Sequence, residues 1–173
     1  MAFTMKEVGR SLSEEDIRTL EFKLSLLLPK DYKAFLLANN GGRPEPDAFP
    51  ILNFENNPKD AIADFFGIDQ ELETDNIEWN YTVLKGRIPN HLLPIADTGS
   101  GDLICLSLSG IDKGKVYFWD HEGEHEPPTY DNVYLIADSF EEFLDSIHFW
   151  DPLEGIDVDS MIIEGDVKGD VLK

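Results

Sequence analysis

LPIADTGSGDLICLSLSGIDKGKVYFWD, residues 93–120, decides the fold. Leu93–Asp97 predicts a short strand, Thr98–Gly101 a turn and Leu103–Leu108 a strong strand. Ser109–Gly114 has the length of a hairpin loop, and Lys115–Asp120 predicts the next strand. Within it Val116 and Phe118 share one face and Tyr117 and Trp119 the other. Both faces are apolar, as in a central strand covered on both sides. Val133–Ala137 supplies a fourth strand. Ser139 with Glu142 then forms a capping box, opening a helix with Phe140, Phe143, Leu144 and Ile147 inward.

The period changes upstream. Ser13 is a helix N-cap with Asp16 three residues on. Ile17, Leu20, Leu24 and Leu27 follow at steps of three and four, one helical face. Pro29 ends that helix and suits the first turn of another. The second helix presents Tyr32, Phe35 and Leu36 and closes on Asn39-Asn40-Gly41-Gly42, residues that tolerate a left-handed cap. A helical hairpin is therefore expected. Phe49–Phe54 predicts a short edge strand, because Pro50 cannot donate to a central ladder. Ile62–Ile68 fits strand or helix equally. Thr74–Lys85 predicts a helix carrying Ile77, Tyr81 and Leu84.

The chain has 173 residues, the length of one domain. Its 14 basic and 35 acidic residues give a formal charge of −21. That excludes nucleic acid as a ligand for most of the surface and argues against an anionic membrane, since phosphate binding depends on Lys and Arg. Between Val116 and Val167 there is no Lys or Arg, but 15 Asp and Glu. The first ten residues lack the apolar run of a signal peptide, and no stretch has the ~20 apolar residues of a membrane span. A cytoplasmic protein is expected. The domain is placed at 1–150. Residues 151–173 are read as an acidic C-terminal extension, either an added edge strand or partly disordered.

Several short motifs point to chemistry. His121-Glu122-Gly123-Glu124-His125 fits H-E-x-x-H, which serves zinc hydrolases when one helix face carries both histidines. Here it follows a strand, contains Gly123 and runs into Pro127-Pro128, so a solvated acidic turn is the expectation. Asp131 or His148 would be the third ligand if a metal bound. Asp97-Thr98-Gly99-Ser100 resembles an aspartic protease turn, but that chemistry needs two carboxylates about 3 Å apart. A strand-connecting turn accounts for it more simply. Asp157-Val158-Asp159 lacks the later ligands of a calcium loop. Gly99-Ser100-Gly101 lacks the lysine of a phosphate loop. Cys105 lies in an apolar strand and reads as a small buried hydrophobe.

Taken together, Leu28-Pro29-Lys30-Asp31-Tyr32-Lys33-Ala34-Phe35-Leu36 with Asn39–Gly42, Leu93–Asp97 with Gly101–Leu106, Gly114–Glu122, and Ser139–Leu144 resemble the SUKH superfamily in order and spacing. The resemblance implies a single α+β domain. A mixed or antiparallel sheet packs against helices, with an N-terminal helical hairpin and a helix after the last main strand. It also implies a role, since many bacterial members are immunity proteins that neutralise the toxin domain, often a nuclease, of a polymorphic toxin. The related yeast Smi/Knr-type regulators act in signalling.

A nuclease presents a basic cleft to its polyanion, and a carboxylate-rich protein is complementary to it. The expected function is a non-enzymatic immunity protein binding a basic toxin or nuclease domain, with no cofactor and no metal. The candidate contacts are Asp97, Asp102, Asp120, Glu122, Glu124 and Glu126, at loop ends of the central strands, with Trp119 as an aromatic anchor if exposed. Pro29, Gly41, Gly42, Phe35, Phe118 and Phe143 are read as structural. The alternatives are a scaffold or signalling module, and a metal-dependent hydrolase using His121, Glu122 and His125.

Overall fold

The computed structural model describes residues 3–54 and 58–150. The acidic extension at 151–173 lies outside the described residues. Ser13 opens α1 (Glu14–Leu24) with a complete capping box. The Ser13 hydroxyl accepts the Asp16 N–H, and the Asp16 carboxylate accepts the Ser13 N–H at 2.7 Å. Ile17 and Leu20 are buried, as their spacing predicts. Leu27 departs from that stripe. The helix stops at Leu24, Ser25 takes a left-handed conformation (φ 55°), and Leu27 beyond it is 69% exposed. α2 (Lys30–Asn39) starts after Pro29 and buries Tyr32, Phe35 and Leu36. Glu21 staples the two helices. Its buried carboxylate accepts the Leu28 N–H at 2.8 Å and pairs with Lys33 at 2.6 Å, partners that replace the water a buried charge loses.

Three antiparallel units follow. β1 (Thr4–Lys6) pairs with β2 (Arg43–Glu45), and β3 (Ala48–Pro50) with β4 (Lys59–Ala61). The main sheet is an antiparallel meander of β5 (Asp64–Phe65), β6 (Leu92–Asp97), β7 (Leu103–Ser107), β8 (Val116–Trp119) and β9 (Val133–Ala137), in that spatial order. β8 therefore lies between two neighbours, as its apolar faces require. The ambiguous Ile62–Ile68 segment contributes β5, only two residues long.

The helix expected over 74–85 is shorter and broken. A 3-10 turn at Glu73–Asp75 precedes α3 (Ile77–Val83). Between them the Asn76 side chain bonds the backbone of Gln70 and Leu72, pulling the chain out of helix. α4 (Phe140–Ser146) follows β9. Its Ser139 hydroxyl accepts the Glu142 N–H, but Glu142 reaches back to the Asp138 N–H instead of closing the box on Ser139.

The core is an aromatic chain joining α2 and α4 to the sheet. Tyr32 meets Phe140 edge-on at 5.0 Å, Phe35 meets Phe65 at 4.8 Å, and Phe143 meets Phe49, which meets Phe118. These rings supply large apolar area in favoured geometry. Cys105 is fully buried among them and burial pushes its thiol up, away from reactivity.

The end of α2 is tied to the rest by one side chain. The buried Asn40 carboxamide donates to the carbonyls of Arg10 (2.9 Å) and Ile68 (3.0 Å) and accepts the Ile68 N–H (2.7 Å). Its own carbonyl accepts the Gly9 N–H. The adjoining Gly42 has φ +103°, and a Cβ there would stand 2.5 Å from the Lys6 carbonyl oxygen, so only glycine fits. Replacing Asn40 by Ala strands these backbone groups. The expected loss is about 2–3 kcal/mol of unfolding free energy, measured by urea denaturation. A loss under about 1 kcal/mol would show that water or relaxation satisfies them.

Candidate carboxylate site at one end of the sheet

The meander brings the ends of four neighbouring strands together. Asp64 on β5 stands opposite Asp97 on β6. The turn after Asp97 returns at Asp102, immediately before β7, where the Thr98 N–H donates to the Asp102 carbonyl. Asp120 follows Trp119, which is registered with Leu103. A row of carboxylates, Asp64, Asp97, Asp102 and Asp120, thus crosses one sheet end. Sequence reading named the last three. Asp64 was missed because its strand is two residues long and its partner is 33 residues away.

Each strand-end carboxylate has a local task. Asp97 accepts the Gly99 N–H at 2.8 Å, so Asp97–Ser100 is the connecting turn its composition suggests. Asp102 accepts both the backbone N–H (3.0 Å) and the ring Nδ1 (2.6 Å) of His121. That hydrogen bond, with the charge of Asp102 beside it, raises the His121 pKa above its ordinary value. Asp120 caps a 3-10 turn at His121–Gly123 through the Glu122 N–H. Arg43 pairs with Asp64 at 3.0 Å. Burial, with Asp64 and Asp75 adding like charge, pushes the Asp97 carboxyl up. Burial also raises Asp60, with Asp102 adding like charge.

The loop after β8 carries the remaining candidates. Glu124 forms a two-pronged pair with Arg87, at 2.8 and 2.7 Å, which holds its carboxyl below the usual range. Arg87 also lies over the ring of Trp119, 6.0 Å from its centre. Trp119 is 1% exposed, so it is core and not an exposed anchor. The burial follows the two-sided apolar pattern of β8, so the exposure that an aromatic anchor requires is not met. Glu122 and Glu126 are exposed, and neither forms an ion pair among the described residues. Tyr130, further along the loop, bonds His91.

The H-E-x-x-H segment forms no α-helix. Its 3-10 turn ends at Gly123 and Glu124 is extended, so His121 and His125 do not share a helical face. His148 is tied by backbone bonds to Ala48. Among the described residues, the ligand atoms that do come within 4.8 Å of one another are those of Asp102, Asp120 and His121, a different set. No helix of the described residues is long and apolar enough to cross a membrane.

This is an α+β domain whose antiparallel meander ends in a row of carboxylates. It belongs to the SMI1 / KNR4 family (SUKH-1), whose sequence model matches residues 11–146. The chain is also similar to the "SPbeta prophage-derived uncharacterized protein YokK" of Bacillus subtilis (strain 168), at 28% identity over 175 residues covering 92% of this chain and 86% of that protein. The family's members are generally non-catalytic immunity proteins.

The raised Asp97 pKa gives a signed prediction. A carboxyl with a higher pKa folded than unfolded binds more protons in the native state, so stability falls as pH rises from the ordinary carboxylate value through the raised one. Asp97→Asn keeps an oxygen for the Gly99 N–H and removes the charge. The variant should have a higher urea midpoint than the native chain at pH 7 and an equal one near pH 3. An equal difference at both values would contradict the electrostatic origin.

Proposed function

We propose that this chain is a non-enzymatic immunity protein that binds and neutralises a basic toxin domain, a nuclease by preference, through the carboxylate-rich end of its sheet. Family membership supports the class of function. The observation that carries the surface is the division of labour in the 120–126 loop. Asp120 and Glu124 fix the loop, through the 3-10 cap and the Arg87 pair, while Glu122 and Glu126 stand exposed on it.

A pre-set loop loses little freedom on binding, and exposed carboxylates steer a basic partner towards it. Occlusion of a basic cleft needs no reaction, so the carboxylates act by charge and position. The partner is a protein, and its positive potential, normally aimed at polyanions, is what the row of carboxylates meets.

Charge reversal must therefore spare the structural carboxylates. Glu122→Lys with Glu126→Lys should slow association with the basic domain by about tenfold at low salt, with little change in dissociation. Stopped-flow or surface-plasmon kinetics at two ionic strengths would show it, and the difference should shrink as salt rises. An unchanged association rate at low salt would place the interface elsewhere.

A further inference from the structure

Asn40 is the one asparagine of this chain that precedes a glycine. That pairing carries a spontaneous chemistry of its own. In a free chain the Gly41 nitrogen attacks the Asn40 side-chain carbonyl carbon, with no side chain at residue 41 to hinder it. The new C–N bond replaces that of the carboxamide, whose nitrogen leaves as ammonia with the proton of the Gly41 N–H. Water then opens the cyclic succinimide to aspartate or isoaspartate. In the folded protein the carboxamide is held against this path. Asn40 is 3% exposed. Its side-chain nitrogen donates to the Arg10 and Ile68 carbonyls, and its oxygen accepts the Ile68 N–H. Two glycines make room for it, since a Cβ at Gly9 would stand 2.8 Å from that nitrogen and one at Gly67 2.7 Å from that oxygen. The nitrogen that makes two of these bonds is the leaving group, so the reaction breaks them inside a dry site.

We propose that Asn40–Gly41 is a deamidation site gated by the fold: closed in the native chain, open in the unfolded one, and a block to refolding once it has reacted. Neither product rebuilds the junction. Aspartate has no N–H for the Arg10 and Ile68 carbonyls and sets a negative charge against them in a buried place. Isoaspartate adds a methylene to the main chain immediately before Gly41 and Gly42, where there is no slack. A Cβ at Gly41 would already stand 3.0 Å from the Gly67 nitrogen and from the Phe65 carbonyl oxygen. Gly42 exchanges two main-chain bonds with Phe65, at 3.0 and 2.8 Å, and a lengthened chain moves it off them. Each excursion through the opened state therefore exposes the chain to permanent loss. The working lifetime of the molecule follows the population of opened chains as well as its equilibrium stability.

The test incubates the full chain at pH 8, with and without enough guanidinium chloride to unfold it, and follows residue 40 by peptide mass spectrometry. Deamidation there should run at least about tenfold faster in the unfolded sample, because the folded chain reacts only through its opened fraction. The deamidated chain carries an added negative charge and is separated by anion exchange. Returned to native buffer, it should show a lower urea midpoint than the untreated chain, or no cooperative transition. Asn40→Asp, made directly and never exposed to denaturant, should share that defect. Equal rates in the two samples overturn the gate. An unmodified residue 40 in the unfolded chain overturns the site itself. A native urea midpoint for the deamidated chain or for Asn40→Asp overturns the block to refolding.

Discussion

The carboxamide of Asn40 is the constraint on which the rest of the molecule depends. It joins the end of α2 to backbone 30 residues earlier and 28 residues later, entirely within the protein. Buried amide groups are costly without partners, so this geometry is all or none. Gly41 and Gly42 follow at once, both at positive φ, and Gly42 bridges Phe65 on β5. β5 in turn sets Asp64 opposite Asp97 on β6. A packing decision at the end of one helix thus propagates, through main-chain bonds, to the carboxylates at the end of the sheet.

Those carboxylates are arranged at a cost. Asp97 and Asp60 sit where burial and like charge disfavour ionisation. A fold selected for stability alone would separate them. Arg43 pairs with Asp64 inside the row, while Arg87 is committed to Glu124 in the loop. The result is a negative sheet end with a fixed loop beside it. Arg87 also lies over the ring of Trp119, which is itself part of the core.

Much of the fold was legible in the sequence because local period and punctuation encode it. β6 to β9 follow from their apolar runs and the Gly-rich turns between them. α1, α2 and α4 follow from spacing and caps. The α+β class, which the family resemblance implied, is the one observed. The pairs β1–β2 and β3–β4 were not legible in full, because three-residue strands containing Pro44 or Pro50 carry almost no pattern. α3 shortened because Asn76 found backbone partners that helical periodicity cannot foresee. At the candidate site, the positions Asp97, Asp102 and Asp120 were readable as strand ends. The engagement of Glu124 was not, since it depends on Arg87, 37 residues away.

Inhibition stoichiometry tests the central claim most directly. The basic protein captured by this chain is purified and its catalytic activity titrated with increasing amounts of the full chain. Immunity predicts a linear fall to zero near one equivalent, with activity returning when salt dissociates the complex. A captured partner that binds the chain at one equivalent yet keeps its full activity would contradict neutralisation and make the chain a scaffold.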